Sequence, residues 1–72
     1  MTTPMHPVKS SQIAYIGYEE DTKELFVTFT NGSVYKYEDV PKYQFDSLMA
    51  ATSVGRYFGD FIKNSYSYTK IK

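Results

Sequence analysis

Hydrophobic and polar residues alternate most clearly between Glu24 and Glu38. Glu24-Leu25-Phe26-Val27-Thr28-Phe29-Thr30 reads as a strand, Asn31-Gly32 as a turn, and Ser33-Val34-Tyr35-Lys36-Tyr37-Glu38 as the return strand. A two-residue turn at Asn31-Gly32 would put both tyrosines on the face opposite Leu25, Val27 and Phe29. A three-residue loop, Thr30-Asn31-Gly32 with Gly32 left-handed, moves the register by one and sets Phe29 against Ser33. Leu25 and Val27 then share a face with Tyr35 and Tyr37. A one-residue slip turns every side chain over, so the hydrophobic pattern selects the second register, which makes one strongly apolar face. Tyr35 and Tyr37 then either pack into the core with hydroxyls at its rim or face a ligand.

Upstream, Gln12-Ile13-Ala14-Tyr15-Ile16-Gly17-Tyr18 is apolar on both faces, as suits an interior strand. Gly17 there marks a bulge or a close backbone approach. Glu19 to Lys23 form a polar turn without the spacing of a calcium loop. Residues 1–9, broken by Pro4 and Pro7, read as a flexible arm ahead of a single domain over residues 10–72. After Val40-Pro41 the pattern turns helical, with Phe45, Leu48, Met49 and Thr52 in one stripe. Ser53 is a suitable N-cap for a second helix from Val54 to about Lys63, with Tyr57, Phe58, Phe61 and Ile62 on one side. Gly55 and Gly59 weaken that helix, so close packing or close approach of a ligand is expected there. Tyr66 to Lys72 alternates and can add a fourth strand, pair with another subunit or pack as an arm. The expected fold is α+β: a three-stranded antiparallel meander, with that short C-terminal strand as an option, packed against two helices.

Composition narrows the function. The chain has 72 residues, no cysteine and zero formal net charge, so disulfides and thiolate metal sites are excluded and a strong non-specific grip on duplex DNA is disfavoured. Eight tyrosines and five phenylalanines exceed what so small a core can hide, which points to a binding surface or a homo-oligomer interface. The segment up to Val40 carries three basic and six acidic residues, and the segment from Pro41 five and two, so the helical half is positive. With no membrane-length apolar run and no signal-peptide pattern, a cytoplasmic protein is expected. His6 is the only histidine and has no companion for metal binding. Neither a nucleophile elbow nor a phosphate loop occurs, so no catalytic residues, metal or cofactor are expected and the protein reads as non-enzymatic.

The strongest binding candidate is the start of the second helix. Ser53 and Gly55 would leave backbone N–H groups open to an anion, Arg56 would add a bidentate contact, and Tyr35, Tyr37 and Tyr57 would supply aromatic walls for a base. RNA or a small nucleotide is the expected partner. Two alternatives stand beside it: a small homo-oligomer that sequesters a nucleotide signal, and a protein-interaction module using Tyr66 to Tyr68 for strand addition.

The run Ser10-Ser11-x-Ile13, Ile16-Gly17-Tyr18, Leu25-x-Val27-x-Phe29, Asn31-Gly32, Tyr35-x-Tyr37, Val40-Pro41, Ser53-x-Gly55-x-Tyr57-Phe58, Ile62 and Tyr66-x-Tyr68 resembles the KTSC domain over roughly residues 8 to 70. That family is named for the C-terminus of some lysyl-tRNA synthetases and also occurs as stand-alone bacterial and phage proteins, which would place a phage member in the host cytoplasm. The resemblance implies RNA binding only by association with the synthetase. Gly59 departs from the family pattern, which has Asn after Tyr-Phe.

Overall fold

The computed structural model describes residues 4–72. Five strands form one antiparallel sheet in the order β1-β2-β3-β4-β5, with β1 Met5–Pro7, β2 Ile13–Glu19, β3 Glu24–Phe29, β4 Val34–Tyr37 and β5 Tyr68–Lys70. Helix α1 spans Lys42–Ala50, and α2, Val54–Tyr57, runs directly into a π-helical turn, Phe58–Ile62. The fold class is therefore α+β, with five strands rather than three and an optional fourth.

Both additional strands come from chain ends. Met5, His6 and Pro7 pair with Gly17, Ile16 and Tyr15, so part of the expected N-terminal arm is the outer strand of the sheet. The first three residues of that arm lie outside the described residues. Tyr68, Thr69 and Lys70 pair with Tyr37, Lys36 and Tyr35, so the C-terminal segment takes the fourth-strand option within its own chain.

The β3–β4 hairpin adopts the three-residue loop. Leu25 faces Tyr37 and Val27 faces Tyr35, while the Phe29 amide donates to the Ser33 carbonyl at 2.8 Å. Gly32 has φ +94°, where a side chain would be strained, and the Asn31 side chain accepts from the Ser33 amide at 2.9 Å. The register shift in β2 falls between Ile13 and Tyr15, at Ala14, whereas Gly17 pairs regularly with Phe26. The extra residue at Ala14 keeps Ile13 and Ile16 both on the helix-covered face, which strict alternation would have separated.

Those two isoleucines, Leu25, Val27 and Tyr37 from the sheet meet Leu48, Val54, Phe58 and Ile62 from the helices, with Val40 closing the junction. Complete burial of each aliphatic side chain contributes about 1.5–3 kcal/mol. Val40 is also fixed through its backbone. Its amide donates to the Lys23 carbonyl at 2.9 Å and its carbonyl accepts from the Tyr18 hydroxyl. Asp39, at φ +57°, supplies the left-handed step that swings the chain out of β4 and into α1.

The second helix changes pitch midway. The Lys63 amide donates to the Phe58 carbonyl at 2.8 Å, an i to i+5 bond. The wider turn keeps Phe58 and Ile62 in the core and rotates Phe61 outward, where it is half exposed. The expected four-residue apolar face is reduced accordingly.

Candidate functional site: an aromatic groove between the second helix and the sheet edge

A groove of about 380 Å³ lies where β4 and β5 pass beneath the second helix. Five rings line it. Tyr37 and Phe58 form the floor and are almost completely buried. Phe29, Tyr35 and Tyr68 form the walls, and Tyr68 is more than half exposed. The rings meet edge-on or tilted: Phe29 lies 5.4 Å from Tyr35 and 5.7 Å from Phe58, Tyr37 lies 5.4 Å from Phe58, and Tyr68 lies 5.7 Å from Tyr35 and 5.5 Å from Tyr37. These are favourable aromatic geometries, so the walls are held by one another as well as by the backbone.

The polar lining comes from Gln12, Asn31, Ser33 and Asn64. Lys63 is the one charged side chain in it, and it contains no carboxylate. Among the described residues the hydroxyls of Tyr35, Tyr37 and Tyr68 have no intramolecular hydrogen-bond partner. No buried side-chain oxygen or nitrogen is left without one, so these hydroxyls reach solvent through the groove. Burial, reinforced by the neighbouring phenols of Tyr68 and Tyr35, pushes the Tyr37 hydroxyl up to about 12. At neutral pH it is therefore a proton donor at the groove floor. Gly59 also lines the groove, and a Cβ there would touch nothing within 4 Å, so this glycine leaves open space.

The raised Tyr37 hydroxyl has a consequence for stability. An unfolded tyrosine ionises near pH 10, whereas in the folded chain this ring holds its proton to about pH 12. The unfolded state therefore loses its proton first, and the contribution of this ring, complete below pH 10, declines as pH rises through that window. Urea unfolding followed from pH 9 to pH 12 will show a falling midpoint, and Tyr37→Phe will flatten part of the fall. An unchanged slope in the variant would refute the assignment.

The six residues expected to form a site do not form one pocket. Tyr35, Tyr37 and Gly55 line the aromatic groove. Ser53 and Arg56 lie in an adjoining shallow trough with Lys9, Ser10 and Ser11, and Gln12 and Gly55 belong to both depressions. Tyr57 lines neither; with Ser53 and Arg56 it borders a further open depression beside Phe61, its hydroxyl donates to Gln44 Oε1 at 2.6 Å, and its ring packs 4.6 Å from Phe61. The Gln44 amide in turn donates to the Tyr66 hydroxyl at 3.2 Å, joining α1, α2 and the segment that leads into β5. Tyr57 thus ties α2 to α1 and does not line the groove.

Ser53 caps α2, accepting from the Arg56 amide at 3.3 Å. Arg56 extends into solvent and pairs with Asp60 at 3.6 Å. Gly55 has a packing reason to be glycine, because a Cβ would sit 3.0 Å from Ser10 Oγ. Sequence reasoning missed Gln12, Phe29, Asn31, Ser33, Phe58, Lys63, Asn64 and Tyr68 as groove residues, while Gly59 is, with Gly55, a place where the sequence predicts close packing or a ligand. For Tyr68 a signal was present, since its alternation with Tyr66 places it in a strand; for Phe29, Asn31 and Ser33 it lay in the hairpin register, and for Gln12, Phe58, Lys63 and Asn64 the sequence held none, because their places depend on how the helix lies on the sheet.

Among the described residues no group of three or more His, Asp or Glu is gathered to hold a metal ion. Nor is any helix long and apolar enough to cross a membrane.

Comparison with known proteins places this architecture. The family model of the KTSC domain matches residues 9–66. A protein of Tsukamurella paurometabola is 42% identical over 59 residues, covering 82% of this chain and 88% of its own. A lysine–tRNA ligase of Nostoc punctiforme is 34% identical over 68 residues, covering 94% of this chain but only 12% of the ligase. The crystal structure of a KTSC domain protein from Yersinia pestis superposes with a TM-score of 0.92 at 36% identity, covering 99% of this chain and all of the other. The groove, the five-stranded sheet and the two helices are thus carried by a chain that belongs to the KTSC domain family.

Proposed function

We propose that this chain is a non-enzymatic binding module for nucleotide-type ligands, RNA among them, which seats a base in the aromatic groove. The observation that carries the reading is the lining itself: five rings around one opening, no carboxylate, and Lys63 as the single charge. A base has a planar π face that stacks on such rings, and its edges match the phenol and amide groups at the rim. The volume of about 380 Å³ lies in the range of small-ligand pockets and suits one base with its sugar. A phosphate attached to that sugar meets Lys63 and no repelling acid. The present reading moves the site from the start of the second helix to the groove, and keeps the ligand class.

The test is a titration of the four common ribonucleoside monophosphates into isotopically labelled protein, followed by NMR, with native mass spectrometry of the same samples. The expected result is one ligand per chain, with ring resonances of Tyr35 and Tyr68 displaced and those of Tyr43 and Tyr57 unmoved. Displacements confined to Tyr57 and Arg56 would return the site to the helix start. Absence of any bound nucleotide would remove the reading.

A further inference from the structure

We propose that the groove is built for an internal residue of a single-stranded oligonucleotide, with a phosphate held on each side of the seated base. The inference rests on the base-seating reading above and adds the form of the ligand.

The first observation is adjacency. The aromatic groove and the trough holding Lys9 and Arg56 share Gln12 and Gly55 in their linings, so the two depressions adjoin at the start of α2. A ligand longer than one nucleotide that leaves the groove on that side meets the trough next. The second observation is on the opposite flank. Lys70 pairs in register with Tyr35, and it shares a sheet face with Tyr68 and Tyr37 because residues two apart on a strand point the same way.

The third observation is charge balance. Lys36, Lys42 and Arg56 each have a carboxylate partner. Among the described residues Lys9, Lys23, Lys63, Lys70 and Lys72 have none within salt-bridge distance. Arg56 is paired only in the open, where such a pair is weak and readily exchanged for a phosphate. Free surface lysines alone would specify nothing. Here three of them surround one ring-lined opening: Lys63 lines the groove, Lys9 lies in the trough that adjoins it, and Lys70 stands on β5 at the other side, on the face of Tyr68 and Tyr35.

A free nucleoside monophosphate has a single phosphate and can reach one flank only. A nucleotide inside a strand has a phosphate at each end of its sugar. Cations on both flanks therefore match the internal residue.

The experiment compares a uridine monophosphate, a ribotrinucleotide, the corresponding deoxyribotrinucleotide and a cyclic dinucleotide by calorimetry at several salt concentrations, using the full chain. The ribotrinucleotide is expected to bind about tenfold or more tighter than the monophosphate at low salt. Its binding constant should fall with salt at a log–log slope of about −1.4, as two single-strand phosphate contacts require. Lys9→Glu and Lys70→Glu should each remove most of the trinucleotide advantage, whereas the monophosphate, with a single phosphate, should lose affinity in at most one of the two. The deoxyribo arm tells whether the strand is RNA or DNA.

Equal binding of monophosphate and trinucleotide, or charge-reversed variants without effect, would overturn the strand path and leave the base site standing. Tighter binding of the cyclic dinucleotide than of the linear trinucleotides would overturn it as well. Failure of every ligand to bind would overturn both readings.

Discussion

Phe58→Ala will cost the fold about 3–5 kcal/mol, the usual penalty for emptying a buried aromatic position. Phe58 is only 4% exposed and packs edge-on against Phe29 and Tyr37, so its removal opens a void between helix and sheet that three elements would have to collapse to fill. Natural domains hold only about 5–15 kcal/mol in total, and one of this size falls toward the low end. The variant will be largely unfolded or will melt near ambient temperature. Phe61→Ala is the internal control. It lies three residues away in the same turn but points to solvent at 50% exposure, and a shift below about 1 kcal/mol is expected. Urea midpoints of the two variants decide the matter: similar losses would mean that the π-helical turn does not rotate the two rings to opposite sides.

On the proposed seating of a base in the groove, Tyr68→Ala will weaken nucleotide binding by about 5- to 150-fold, the range for losing one stacked base, about 1–3 kcal/mol. Tyr68 is the outermost ring of the groove and is 57% exposed, so the same change should leave urea stability within about 1 kcal/mol of the parent. Tyr68→Phe keeps the π face and should retain most of the affinity. Tyr57→Ala is expected to behave in the opposite way, lowering stability through the lost contact with Gln44 while the groove keeps all five rings. Calorimetry on the three variants separates a stacking wall from a structural tyrosine. Undiminished affinity in Tyr68→Ala would show that the base is seated elsewhere.

The parts of the fold that could be read in advance are those where one face had to be apolar. Leu25, Val27 and Phe29 cannot share a buried face with Tyr35 and Tyr37 unless the loop has three residues, and Gly32 takes the required left-handed step. Ser53 caps a helix because its hydroxyl oxygen can accept an otherwise unpaired N–H. What stayed hidden depended on partners far along the chain. Met5–Pro7 has no alternation and carries a proline; it becomes a strand through pairing with Tyr15, Ile16 and Gly17. The π-helical turn leaves no mark in a periodicity argument, because Phe58 and Ile62 also lie close together on an α-helix. The bulge at Ala14 could not be placed by composition, since Gly17 was the obvious weak point. The lining of the candidate groove was legible in part. Tyr35 and Tyr37 were visible in the hairpin, whereas Tyr57 looked equivalent until its hydroxyl was seen to be taken by Gln44.

The order of the strands across the sheet is also their order along the chain. The first four strands find their partners by closing short loops, whereas β5 reaches β4 only across residues 38–67, which hold both helices. Local pairing of β1 to β4 lowers the entropic barrier to forming the meander, and β5 closes the edge afterwards. The two outermost strands also sit on opposite borders of the sheet. Polypeptide attached at either end can therefore continue outward without threading through the β-meander, so a neighbouring domain need not take part in folding. A unit with this wiring can be appended to a much larger enzyme and still reach its own native state.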